Sequence, residues 1–430
     1  MTTFERFERS IPALMNELAP TRVPDYFDDM LRRTASHRQR PAWSYLERWL
    51  PVEITTRLVT VRSLPWRPIL VTALVAILIA ASLVTYVGSQ RNTPPPFGVT
   101  ANGALLFRGG DGSIKSFDPR TEALSTLLGS SAAIGEPVPS RDGRHLALVP
   151  QRTVPATIVV SGIDGSNRVA LAGAYQDIAA VDWSPDGSHL AILSRQGGSR
   201  GVTIAASNGS GATSLVADRS VRDLDYLPDG RLALIASDKP GQSCGLAGEN
   251  AEDSCALFVV NADGTGLDQL EPTTAFAGLT IDPSPDGSKL LYVEWSPGRE
   301  GRLHIIDLRS RADDLIPVDG MPGRYSINRA LFSPDGASVL FDFFEEATNH
   351  WAVVASSGGP VVRIGPDWTN MATDAMWAPD GQSVLAYYEQ SDGTRVLRIL
   401  DVTGKGGDRV LPVDVPYLPE WQRVSTSTAP

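Results

Sequence analysis

The chain has 430 residues, 42% hydrophobic and 20% charged, a balance that excludes wholesale disorder and leaves room for one large domain or two to three ordinary ones. Its formal charge of −11 is uneven: residues 1–67 hold 11 Arg against 8 Asp and Glu, and the remainder carries 27 basic against 41 acidic groups. So acidic a remainder repels phosphate backbones and argues against nucleic acid as a partner.

In chain order, the first predicted element is a short helical tail over residues 1–67. Phe4, Phe7, Ile11, Leu14 and Leu18 recur at steps of three and four, the spacing of an amphipathic helix. Pro24 can open a second helix bearing Tyr26, Phe27, Met30 and Leu31, and Trp43, Leu46 and Trp49 recur before Pro51. Such a stripe suits the inner membrane surface or a cytoplasmic protein partner; the plainer reading is a weakly ordered tail too small to bury a core.

Residues 68–88 form an uncharged apolar run lying between Arg67 and Arg91. About 20 such residues match a hydrocarbon core of about 30 Å, so the run predicts one transmembrane helix, with Trp66 and Tyr86 near its ends. A cleaved signal peptide would have a shorter apolar core and no 67-residue leader. Arg57, Arg62 and Arg67 precede the run closely and Arg91 alone follows it, which puts the N-terminus in the cytoplasm and residues 90–430 outside. Residues 89–98 contain three successive prolines and predict an extended spacer.

From residue 99 to 425 the dominant signal is internal repetition. A turn of the type Ser-Pro-Asp-Gly occurs six times: at Asp142-Gly143, Asp186-Gly187, Asp229-Gly230, Asp286-Gly287, Asp335-Gly336 and Asp380-Gly381. Steps between the aspartates are 44, 43, 57, 49 and 45 residues, the long one holding an insertion with both cysteines. Pro presets φ, Asp accepts a backbone hydrogen bond and Gly supplies positive φ, so each copy reverses the chain between an aromatic-ended strand and a nearly continuous apolar one. Apolar runs such as Lys289–Val293 and Ser383–Tyr387 predict strands buried on both faces. Four short strands per unit of about 45 residues make a propeller blade.

This pattern resembles the TolB-like propeller family, whose repeat reads Trp-Ser-Pro-Asp-Gly before a strand. Trp183–Gly187 matches it fully and the other copies depart at one or two positions. The small α/β domain that precedes the propeller in TolB has no counterpart here, so the resemblance does not carry over a Tol–Pal role. Residues 103–129 read as three strands without a leading one, and Pro416–Val424 reads as a leading strand without its turn. Pairing the two leaves no open edge and gives seven blades; six blades with appended strands is the alternative.

Cys244 and Cys255 suit a local disulfide in an oxidising compartment, with two free thiols as the alternative. Candidate channel-lining residues are the polar ones three or four positions before the aromatic: Arg222, Asp223, Asn328, Arg329 and Asp374. Gly197–Gly201 and Gly241–Gly245 match Gly-x-Ser-x-Gly, but without the strand-to-helix setting that a hydrolase elbow needs. The Asp-Gly turns lack a calcium cage, and His304 and His350 read as structural, so neither metal nor cofactor is expected. The expectation is a non-enzymatic scaffold that presents its propeller to a protein or envelope component. The alternative is a transmembrane signalling protein resembling anti-sigma regulators, although the tail has His37 and no Cys to hold zinc. A propeller hydrolase comes third.

Overall fold

The computed structural model describes residues 95–130, 135–150, 155–242, 244, 255–270, 280–294, 301–321, 325–345, 348–368, 373–389, 392–405 and 407–425. The predicted tail and transmembrane helix lie outside these residues. Among those described, no helix is long and apolar enough to cross a membrane.

Among the described residues, seven four-stranded antiparallel sheets form the blades, five of them from consecutive strands; one more skips the short strand Gly359–Pro360, which pairs in parallel with Val318–Asp319. We number them by chain order. Blade 1 holds Ala101–Arg108, Ile114–Asp118 and Ala123–Leu128; blade 2 begins at Glu136, blade 3 at Gln176 and blade 4 at Val221. Blade 5 begins at Ile281, blade 6 at Ser326 and blade 7 at Thr373. The inner strand of blade 1 comes from the other end of the chain: Glu420–Val424 pairs with Ala101–Arg108, setting Leu105 against Trp421. This closure is the one expected from the orphan strands at residues 103–129 and 416–424, and it makes seven blades.

The repeated turns behave as their chemistry dictates. In the Ser184 copy, Ser184 Oγ donates to Asp186 Oδ1 (2.7 Å) and accepts the His189 N–H (2.9 Å), while Asp186 accepts the Ser188 N–H (3.0 Å). The Ser140, Ser284 and Ser333 copies repeat the two serine bonds. Gly187 adopts φ of 69°, a region open chiefly to glycine. Each turn thus satisfies its own polar groups and leaves the flanking strands free to be apolar.

Second and third strands are buried on both faces, as in Leu232–Ser237 and Cys255–Val260. A flat two-sided sheet of this kind has no core of its own, so the core lies between blades. Seven apolar clusters fill the seven interfaces, each drawing residues from two neighbouring blades. Aromatics at the inner-strand ends lock neighbours together: Trp183 Nε1 donates to the Val138 carbonyl (3.0 Å) and Trp377 Nε1 to the Leu331 carbonyl (3.2 Å). At the closure, Trp421 Nε1 donates to the Gly103 carbonyl (3.1 Å).

Candidate functional site: the charged mouth of the channel

Inner strands face the axis, and successive side chains on a strand alternate between faces. On blades 3, 4 and 5 the residue just before the aromatic position is an aspartate: Asp182, Asp225 and Asp282. These three line a cavity of about 490 Å³ at the channel, together with Arg141, Arg329, Glu420 and Arg423. Phe97, Trp183, Met376 and Trp377 supply apolar wall.

Arg141 is the centre of the group. It occupies the second position of the Ser140 turn, where the repeat otherwise places proline. One of its terminal nitrogens lies 3.1 Å from both carboxylate oxygens of Asp182 and 3.2 Å from Asp225 Oδ1. Burial works against the guanidinium charge, but Asp182 and Asp225 more than offset it and hold the proton more firmly than usual.

The aspartates also stitch blades together. Asp182 Oδ2 accepts the Tyr226 N–H of blade 4 (2.8 Å), and Asp282 Oδ2 accepts the Phe332 N–H of blade 6 (2.7 Å). For Asp225 the equivalent donor would come from residue 283, which is Pro283 and has no N–H. Asp225 therefore depends on Arg141, and burial and the Asp182 charge drive its pKa up. Burial pushes Asp282 to about 7, with the Phe332 N–H and Arg141 opposing. Glu420 also rises to about 7, first through burial and then through Asp374. Several carboxyls at this mouth therefore carry protons near neutrality.

The sequence-selected channel residues fall partly in this cluster. Arg329 lines the cavity and its guanidinium bonds Asp374 across the blade 6–7 boundary. Asp223 accepts the Ile281 N–H (3.1 Å), and burial raises it to about 6. Asn328 is exposed, and its amide donates to Asp342 Oδ2 (3.4 Å). Arg222 is partly buried and has interactions of its own. A bulge explains the scatter: in blade 6 the register shifts between Ile327 and Ala330, and Asp342 Oδ1 accepts the Arg329 N–H there (2.7 Å). The position next to the aromatic went unread, although it lies two residues from Asp223 and so on the same strand face. Arg141 was visible as the departure from proline.

Elsewhere, Cys244 and Cys255 are joined by a disulfide. His304 lies between Glu294 and Asp313, each 3.2 Å from one ring nitrogen, and His350 stacks on Phe343 at 4.9 Å. Gly197–Gly201 lies on the hairpin between His189–Gln196 and Ser199–Ala206. Among the described residues, no group of three or more His, Cys, Asp or Glu could hold a metal.

No protein-family model matches this chain, and no curated protein matches it. Solved structures do. The β-propeller domain of the Trilobed protease from Pyrococcus furiosus, described as having an open velcro topology, is 15% identical with a TM-score of 0.52, over 75% of this chain and 97% of that one. A GH74 xyloglucanase from Xanthomonas campestris is 12% identical with a TM-score of 0.50, over 76% and 54%. TolB from Acinetobacter baumannii is 13% identical with a TM-score of 0.48, over 74% and 82%. What is shared is the fold. Where the Pyrococcus domain is described as open, the ring here is closed by pairing the two ends of the domain.

Proposed function

We propose that this chain is a non-enzymatic binding module: a single-pass membrane protein that presents its propeller outside the cytoplasm and receives a protein or envelope component at the channel mouth. The span and its orientation rest on residues 68–88 and their flanking arginines. The observation that carries the binding reading is the Arg141 cluster. A charged side chain delivered by a turn departs from the repeat and converges with carboxylates of three blades on one cavity. Apolar walls with a few fixed polar groups suit recognition of another molecule. A photo-reactive residue in place of Leu331, activated in intact membranes, is expected to capture a discrete partner that Arg141→Gln loses. Capture equally efficient from Leu124 on the outer strand of blade 1, and indifferent to Arg141, would refute the mouth as the site.

One observation favours a second reading, a propeller hydrolase. Asp282 and Glu420, protonated near neutrality, could donate protons to a glycan or lactone as general acids. Turnover of a glycan and lactone panel, abolished by Asp282→Asn and Glu420→Gln, would establish it. Signalling is distinguished separately, by whether residues 1–67 alone retain a cytoplasmic protein.

A further inference from the structure

The last residues of the predicted spacer do not stand clear of the propeller. Pro96, Phe97 and Gly98 line the channel cavity beside Arg141, Trp183 and Arg423. We propose that residues 95–100 form a strap, an intrachain occupant of the channel mouth that must swing away before a partner enters. The proposal rests on reading the mouth as a binding site.

The two ends of the strap are held differently. At its C-terminal end the Thr100 N–H donates to the Pro379 carbonyl (2.9 Å). Asn102 and Asp380 exchange two hydrogen bonds, of 2.8 and 3.0 Å, where the strand Ala101–Arg108 begins. That end belongs to the sheet. The N-terminal end is held by two cationic side chains. The Arg141 guanidinium sits over the Phe97 ring, 4.5 Å from its centroid. Arg423 donates to the Pro95 carbonyl (3.1 Å) and to the Gly98 carbonyl. Between the two ends, Gly98 has φ of 85°, so the hinge sits at the residue that turns most freely. Pro95 and Val99 are exposed and Phe97 is half-buried, so little apolar area resists opening.

Opening uncovers chemistry that the strap now satisfies. Arg423, half-buried, loses carbonyl acceptors, and Arg141 loses its ring. The replacement that restores both is an extended peptide segment offering backbone carbonyls to Arg423 and an aromatic side chain to Arg141. The strap thus defines the ligand class by occupying its place.

The test uses thiol labelling of the full-length chain in membranes. Both native cysteines are in a disulfide and do not react. A single cysteine is placed in the cavity wall as Met376→Cys, with Leu331→Cys as a second reporter should the first perturb folding. Ser188→Cys, on a turn outside the cavity lining, gives the reference rate. With the strap intact, a bulky maleimide should label the cavity cysteine more slowly than Ser188→Cys. Adding Phe97→Ala should raise the cavity rate by roughly fivefold, the factor that one lost cation–π contact implies. Adding Arg423→Gln should raise it further, with the Ser188→Cys rate unchanged. A cavity cysteine that reacts as fast as Ser188→Cys, or is indifferent to Phe97→Ala, overturns the strap. Because no partner is involved, this failure is separate from failure of the mouth to capture one.

Discussion

Ring closure rests on Trp421, and replacing it by alanine is the most direct test of the architecture. Its side chain is 6% exposed, packs with Leu105, Phe107, Tyr387 and Leu418, and donates to the Gly103 carbonyl at 3.1 Å. Burying a tryptophan removes about 200 Å² from water, or about 5 kcal/mol at roughly 25 cal/mol per Å². Large-to-small core substitutions of this kind cost about 3–5 kcal/mol, and the lost hydrogen bond is worth about 1 kcal/mol. Trp421→Ala should therefore cost about 4 kcal/mol. Trp421→Phe, which keeps most of the apolar body, should cost roughly 1–2 kcal/mol. The assay is urea unfolding followed by far-UV circular dichroism, combined with hydrogen exchange across Ala101–Arg108. Exchange there should accelerate in Trp421→Ala, because that strand's inner partner is Glu420–Val424. A cost below about 1 kcal/mol with unchanged exchange would refute closure by the C-terminal strand.

Other predictions address turns, pH and redox state. Gly187→Ala should destabilise by about 1–2 kcal/mol, since its φ of 69° is strained for alanine and the new Cβ would stand 3.1 Å from an Asp142 oxygen. Gly230→Ala, with φ of 88° and nothing within 4 Å of the new Cβ, should show the strain alone and cost less in the same unfolding assay. Thermal unfolding against pH should give a dome. Asp282 and Glu420 have raised folded-state pKa values of about 7, so their contribution is full at low pH and lost as pH rises through about 7. Asp286 and Asp335 are lowered, chiefly by their turn serines, so their contribution is lost as pH falls through the acid range. Asp282→Asn should flatten the high-pH side of the dome. Reducing the Cys244–Cys255 disulfide, which spans 11 residues, should lower stability by about 2–3 kcal/mol, read as a drop in Tm on adding a reductant.

Much of the fold was legible because the turn that marks each blade is a local device. Ser184, Asp186 and Gly187 close the chain through bonds spanning no more than five residues, so their chemistry appears wherever the motif does. The closing strand was legible for a related reason. Three strands without a leader and one leader without a turn are complementary remainders of the same repeat. The site was harder to read. Selecting positions three or four before the aromatic found Arg329, Asp374 and Asp223, but the bulge at Asn328 and Arg329 breaks the alternation on which such counting depends. Phe97, read as part of a spacer, packs over Arg141 because the cation–π contact links residues 44 apart in sequence, which no local pattern announces.

By itself, then, the sequence determined the blade, its turn and the complementary end strands that favour seven blades over six, because these follow from bonds and periodicities of one repeat. Only the tertiary structure decided which charges meet. Asp182, Asp225 and Asp282 stand 43 and 57 residues apart and become neighbours through the rotation of one sheet against the next. Arg141 acquires its role, and Asp225 its dependence on Arg141, only when Pro283 arrives opposite without an N–H to give. Electrostatics at an axis is a property of the closed ring, and no single blade contains it.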